Sequence, residues 1–108
     1  MLFFLETTVL SNIPKNLLYK SLNDHNISVG TLVFVKVKNK IYPAFVVKIH
    51  SSNPTNIPDE KIDEIYEIAP YPPFFDEKML SFYQFASYYY LTPLSTVLSN
   101  AFPKLGYY

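Results

Sequence analysis

A chain of 108 residues that is 49% hydrophobic and 17% charged, with a formal net charge of zero, suits one folded domain with a buried core. It excludes disorder, which needs low hydrophobicity and high net charge, and no run of about 18 apolar residues is present to span a membrane as a helix. With no Cys, disulfides and thiolate metal sites are excluded as well.

The first residues, MLFFLETTVL, lack a basic stretch and meet Glu6 at once. That is a poor signal peptide, so the expected location is the cytoplasm, with no membrane partner. Every basic residue is Lys, and the zero total hides an asymmetry. Residues 1–50 carry six Lys against Glu6 and Asp24, whereas residues 51–108 carry three Lys against seven acids. A basic half can attract phosphate even in a neutral chain, although lysines also line solvated strand faces.

Leu2 to Leu10 is rich in β-formers and reads as a strand over 2–10. Ser11 to Asn16 is turn-like, and Leu17, Leu18 and Tyr19 form a short apolar island before a polar stretch ending at Gly30. Thr31 to Lys38 alternates, with Val33, Val35 and Val37 on one face and Lys36 and Lys38 on the other. Lys38, Asn39 and Lys40 form a tight turn, since Asn tolerates the left-handed conformation. A partner strand over 41–50 directs Ile41, Phe45, Val47 and Ile49 to the core, and Pro43 signals a sheet edge or a bulge. Residues 51–58 read as a loop, and 62–69 as a strand ended by Pro70 to Pro73.

The period then changes to helical. Helices are expected over 76–91 and 93–101, the first capped by Asp76, with a stripe of Met79, Leu80, Tyr83, Ala86 and Tyr90. The second starts with Thr92 as cap and Pro93 in the first turn, and its stripe is Leu94, Val97, Leu98 and Ala101. The expected architecture is α+β: a small curved antiparallel sheet or barrel-like unit over 1–70 and a helical extension over 74–102, in one domain covering 1–108.

Catalytic signatures are absent. Gly30 and Gly106 are the only glycines, so no phosphate-cradling loop can form. His25 and His50 lie far apart, and a zinc site needs three or four converging ligands. The acids Asp59, Glu60, Asp63, Glu64 and Glu67 read as a solvated strand edge. What remains is Lys and aromatic side chains around a β unit. Small barrels use that combination to stack bases and hold phosphates of single strands. The second class of reading is a protein-docking module with an aromatic surface. Among Tyr88, Tyr89 and Tyr90, helical geometry lets at most two share a face; the plainer reading of the cluster puts one or two of them in the core and the rest at the surface.

The order of segments carries a resemblance. Pro73-Phe74-Phe75-Asp76 is followed by Phe85-Ala86-Ser87-Tyr88-Tyr89-Tyr90, then Pro93-Leu94-Ser95-Thr96-Val97-Leu98, then Ala101-Phe102-Pro103. Upstream lie a first strand, Tyr19, Gly30, the Val33, Val35 and Val37 repeat, and Val46-Val47. Together they resemble the N-terminal DNA-binding domain of the replication-restart helicase, primosomal protein N′ (PriA), over nearly the whole chain.

The resemblance implies a non-catalytic module that recognises the 3′ end of the nascent leading strand at stalled forks without base preference. It also implies that any ATP or zinc belongs to other domains of the helicase, so no cofactor is expected in this one. Implied partners are DNA with a free 3′ end, fork DNA, the remaining helicase domains, and single-strand-binding and primosome proteins. The family's terminal-nucleotide pocket uses an aromatic-Asp-Tyr segment, a Gly-containing hairpin turn and a Lys. Carried over, the first falls on Leu17, Leu18 and Tyr19, where only the Tyr matches. The turn falls at Lys38 and Asn39, without the Gly. The Lys falls on Lys61 with a two-residue shift, and on Asp63 in strict alignment. Lys36, Lys38 and Lys40 are the expected phosphate contacts. With Leu18 in place of the acid, either backbone groups read the 3′-hydroxyl or discrimination is weaker.

Overall fold

The β-branched and aromatic runs of the first half form strands, and the switch to helical spacing after Pro73 forms helices. The computed structural model describes residues 2–11, 13, 15–22 and 27–103. The strands are β1 (Phe3–Val9), β2 (Leu17–Ser21), β3 (Leu32–Val37), β4 (Lys40–His50) and β5 (Glu67–Ile68); a 3₁₀ turn spans Asp59–Lys61. The helices are α1 (Glu77–Tyr89) and α2 (Leu94–Ala101). The strands form one antiparallel sheet in the order β2-β1-β4-β3-β5, so the fold is α+β with two C-terminal helices, as the sequence predicts.

Three features differ from the expected ones. The apolar island at Leu17 is a strand, β2, paired with β1 from Thr7↔Leu17 to Phe3↔Ser21. The expected strand over 62–69 shrinks to Glu67–Ile68 plus a bridge between Lys20 and Glu64, because its residues divide their hydrogen bonds between two partners. Pro43 lies not at an edge but on the central strand β4. It is tolerated because β1 pairing ends at Val9↔Ala44, and beyond it only the Pro43 carbonyl is used, by the Leu10 N–H at 2.9 Å.

The sheet buries both faces, which is why β3 and β4 read as continuous apolar runs. Leu5, Val9, Tyr19, Val33, Val35, Ala44 and Val46 fill the inside of the curl. Leu32, Phe34, Phe45 and Val47 lie on the opposite face, under Phe75 and under Leu80 and Leu98 of the two helices. Val33 and Phe45 therefore do not share a face: Val33 pairs with Ala44, and Leu32 with Phe45. A bulge adds a further exchange. Glu6 pairs with Lys48 but Thr7 pairs with Val46, so Val47 is extra and Ile49 packs on the inner cluster instead of beside Val47.

Gly30 joins the sheet to the helical part. Its φ of 91° is left-handed, its N–H donates to Val46, and its carbonyl accepts from Phe74 at 2.9 Å. In α1, Asp76 caps the first turn by accepting from the Met79 N–H at 2.9 Å. The buried stripe of α1 is narrower than expected: Leu80 is buried and Tyr83 half-buried, while Met79 and Tyr90 are exposed. Pro93, not Thr92, is the residue that caps α2. In α2, Leu98 and Ser95 are buried, whereas Ala101 is exposed.

Candidate nucleic-acid interface

The curl brings the outer edges of β2 and β3 towards each other, and residues 62–69 tie them together. On the β3 side, the Tyr66 and Ala69 N–H groups donate to the Phe34 and Leu32 carbonyls at 2.7 and 3.0 Å. On the β2 side, the Lys20 N–H donates to Asp63 and the Ile65 N–H to Lys20, at 2.9 and 3.1 Å. Beyond this stretch, Tyr19 crosses the interior and its hydroxyl donates to the Lys36 carbonyl at 3.0 Å. Burial raises the Tyr19 pKa above the ordinary tyrosine value of 10.0, and the Asp63 carboxylate adds to the rise.

The β3–β4 hairpin forms one wall. Val37 pairs with Lys40, leaving Lys38 and Asn39 as a two-residue turn. Their φ angles, 51° and 67°, are both left-handed, as a type I′ turn requires. Asn39 thus supplies the conformation without a Gly, as expected of Asn.

Facing that hairpin across a cleft of about 420 Å³ is the bridging segment. Lys36, Lys38 and Asn39 line one side, and Asp63 and Glu64 the other. All five are exposed at the rim. Next to it, the Lys36 ammonium sits 5.8 Å from the ring centroid of Tyr66, which is 56% exposed. Two cations, an amide and two carboxylates therefore share one opening. Such a set can pair with phosphate and also accept a hydrogen bond from a hydroxyl.

The structure gathers only part of the sequence-derived set. Lys36, Lys38 and Asn39 meet in the cleft, while Lys40 and Lys61 are exposed but outside its lining. Leu17 is half-buried and packs on the inner core. Leu18 is half-buried on β2. Backbone groups alternate sides along a strand, so those of Leu18 point to the same outer edge as those of Lys20. Tyr19 is 4% exposed and part of the core, so it offers no open ring for stacking.

In the sequence, Asp63 and Glu64 read as a solvated strand edge, Asp63 appearing besides only as the strict-alignment counterpart of the family's Lys, and Tyr66 is one residue of the 62–69 strand. The signal for all three is their position opposite the hairpin, which only closure of the curl creates. An aromatic surface, as the docking alternative expects, lies on α1 and its C-cap Tyr90. Phe82, Phe85, Tyr88, Tyr89 and Tyr90 are all exposed, so none of the three consecutive tyrosines enters the core. Phe85 and Tyr89 stack on each other with centroids 5.8 Å apart.

A comparison with curated proteins gives no significant match. A family model described as the 3′ DNA-binding domain (3′BD) of PriA matches residues 6–103.

Proposed function

Because the chain belongs to this family of PriA 3′ DNA-binding domains, which bind DNA and are not catalytic by themselves, we propose that its cleft holds the terminal nucleotide of a DNA strand and reads the free 3′-hydroxyl. The observation that carries this reading is the mixed lining: Lys36, Lys38 and Asn39 on one wall, Asp63 and Glu64 on the other. The lysines neutralise the phosphodiester that precedes the last sugar. The carboxylates accept a hydrogen bond from the 3′-hydroxyl and repel a strand whose end carries a phosphate. In this reading Asp63 supplies, from the facing wall, the carboxylate that Leu18 lacks. The Leu18 backbone at the outer edge of β2 and Lys61 and Lys40 nearby extend the contact surface, and Tyr19 supports β3 from beneath. In this reading the lining groups contact phosphate and sugar, which carry no sequence information.

The biological role follows from the substrate. A free 3′ end on a duplex arm marks the nascent leading strand of an abandoned fork. The domain serves a cytoplasmic replication-restart and DNA-repair helicase of the primosome, whose other domains carry ATP hydrolysis and any zinc. Single-strand-binding and primosome proteins are its wider partners. The exposed aromatic face of α1 favours a second role beside this one, docking to those other domains.

The test is the double variant Asp63→Asn, Glu64→Gln, assayed on a short strand with a free 3′-hydroxyl and on the same strand with a 3′-phosphate. The reading predicts that the variant loses most of its preference between the two. An unchanged preference contradicts it.

A further inference from the structure

The cleft accounts for the last nucleotide of a strand but not for the one before it. Beside the cleft lies an aromatic side chain that the core does not use. Tyr66 is 56% exposed. Its backbone is nonetheless fixed, because its N–H donates to the Phe34 carbonyl at 2.7 Å. Its ring therefore stands on a rigid part of the sheet and costs little to order. Lys36, which lines the cleft, holds its ammonium 5.8 Å from the centroid of that ring. A contact this long and this exposed is weak, so the ammonium is free to turn to a stronger partner.

We propose that Tyr66 is a stacking platform for the penultimate base of a bound strand, with Lys36 pairing the phosphate between that base and the terminal nucleotide. This rests on the reading of the cleft as a 3′-end site. Every base has a π-face, so the platform tolerates any sequence. It also takes the place that the buried Tyr19 ring cannot fill. Lys36 is the link: its side chain lines the cleft and its ammonium reaches within 5.8 Å of the ring centroid, so a phosphate that it pairs lies between the two subsites. A second base held this way extends the footprint without adding a base-specific contact.

The test compares the 108-residue chain with Tyr66→Ala and Tyr66→Phe, on a 5′-labelled oligothymidine with a free 3′-hydroxyl. A second strand lacks only the penultimate base. For the intact strand, Tyr66→Ala is expected to weaken binding by roughly 5- to 160-fold, the range for one base stacked on an aromatic ring. Tyr66→Phe keeps wild-type binding, and the abasic strand binds the wild type and Tyr66→Ala equally. A strand with 5-iodouracil at the penultimate position crosslinks to Tyr66. Equal binding of the intact strand by wild type and Tyr66→Ala, with preference for a free 3′ end retained, overturns the platform and leaves the cleft standing. Wild-type protein that shows no preference for a free 3′ end overturns both.

Discussion

The Tyr19 hydroxyl donates to the Lys36 carbonyl at 3.0 Å, across the interior of the curled sheet. Tyr19 lies on β2, at one end of the strand order, and Lys36 lies on β3, next to the other end. β5 pairs with β3 only at Val33 and Phe34. The phenol takes up the next outward carbonyl and so holds the base of the hairpin that carries Lys38 and Asn39. Removing the hydroxyl in Tyr19→Phe is expected to cost about 1 kcal/mol, measured by denaturant unfolding, and to loosen the hairpin amides in hydrogen exchange.

The same residue gives a pH dependence. Burial first, and Asp63 second, raise the Tyr19 pKa above 10.0. A group whose folded pKa is raised holds its proton more tightly when folded. Its contribution is complete below the unfolded tyrosine pKa and is lost as pH rises through the folded value. Melting temperature should therefore fall above about pH 10, and the fall should be smaller in Tyr19→Phe. Identical alkaline profiles in the two proteins would show that the phenol does not couple ionisation to folding.

Phe45 is fully buried and meets the rings of Phe74, Phe75 and Phe102 at centroid distances of 5.5, 5.0 and 5.2 Å. It is the point where the sheet and the helical part share a core. Phe45→Ala should cost about 3–5 kcal/mol, a large share of the stability of a domain this size. A melting temperature close to wild type would mean that the helices do not depend on this face.

Gly30 has no room for a side chain. A Cβ there would lie 1.9 Å from the Phe75 carbonyl oxygen, on a backbone whose φ is already 91°. The Phe75 backbone cannot move away without breaking the bond from Phe74 to Gly30. Gly30→Ala should therefore abolish cooperative unfolding, or leave a form without near-ultraviolet dichroism from the packed rings. A cooperative Gly30→Ala protein with native dichroism would refute this packing.

Lys36, Lys38 and Lys40 are exposed along one hairpin. Replacing all three with Ala should weaken binding to every sequence alike and lower the slope of log K against log salt by roughly 0.7 for each phosphate no longer neutralised. Affinity and slope both equal to wild type would reduce the hairpin to a solvated tip.

Local signals make much of this legible. The alternation before Lys38, the Asn39 turn, the Asp76 cap and the break at Pro70 to Pro73 each act within a few residues, and each appears where the sequence puts it. What escapes depends on contacts distant in the chain. Whether Leu17 to Ser21 is a strand depends on pairing with β1, and the face of Ile49 depends on a bulge opposite Glu6 and Thr7. The site follows the same rule. Lys36, Lys38 and Asn39 are visible in the sequence as a basic hairpin. Asp63, Glu64 and Tyr66 gain meaning only when the sheet curls and brings residues 62–69 against it. Tyr19 stands out in the sequence as special, but its ring faces inward.

If the cleft between the hairpin and Asp63 and Glu64 reads a strand end, binding depends on the group that the last sugar carries. The most direct measurement is fluorescence anisotropy of a 5′-labelled single strand, titrated with the wild-type chain at fixed salt, with the 3′ end free in one sample and phosphorylated in the other. The free 3′-hydroxyl is expected to bind tighter by at least about tenfold, equivalent to about 1.4 kcal/mol. Equal affinities, or tighter binding of the phosphorylated end, would contradict it.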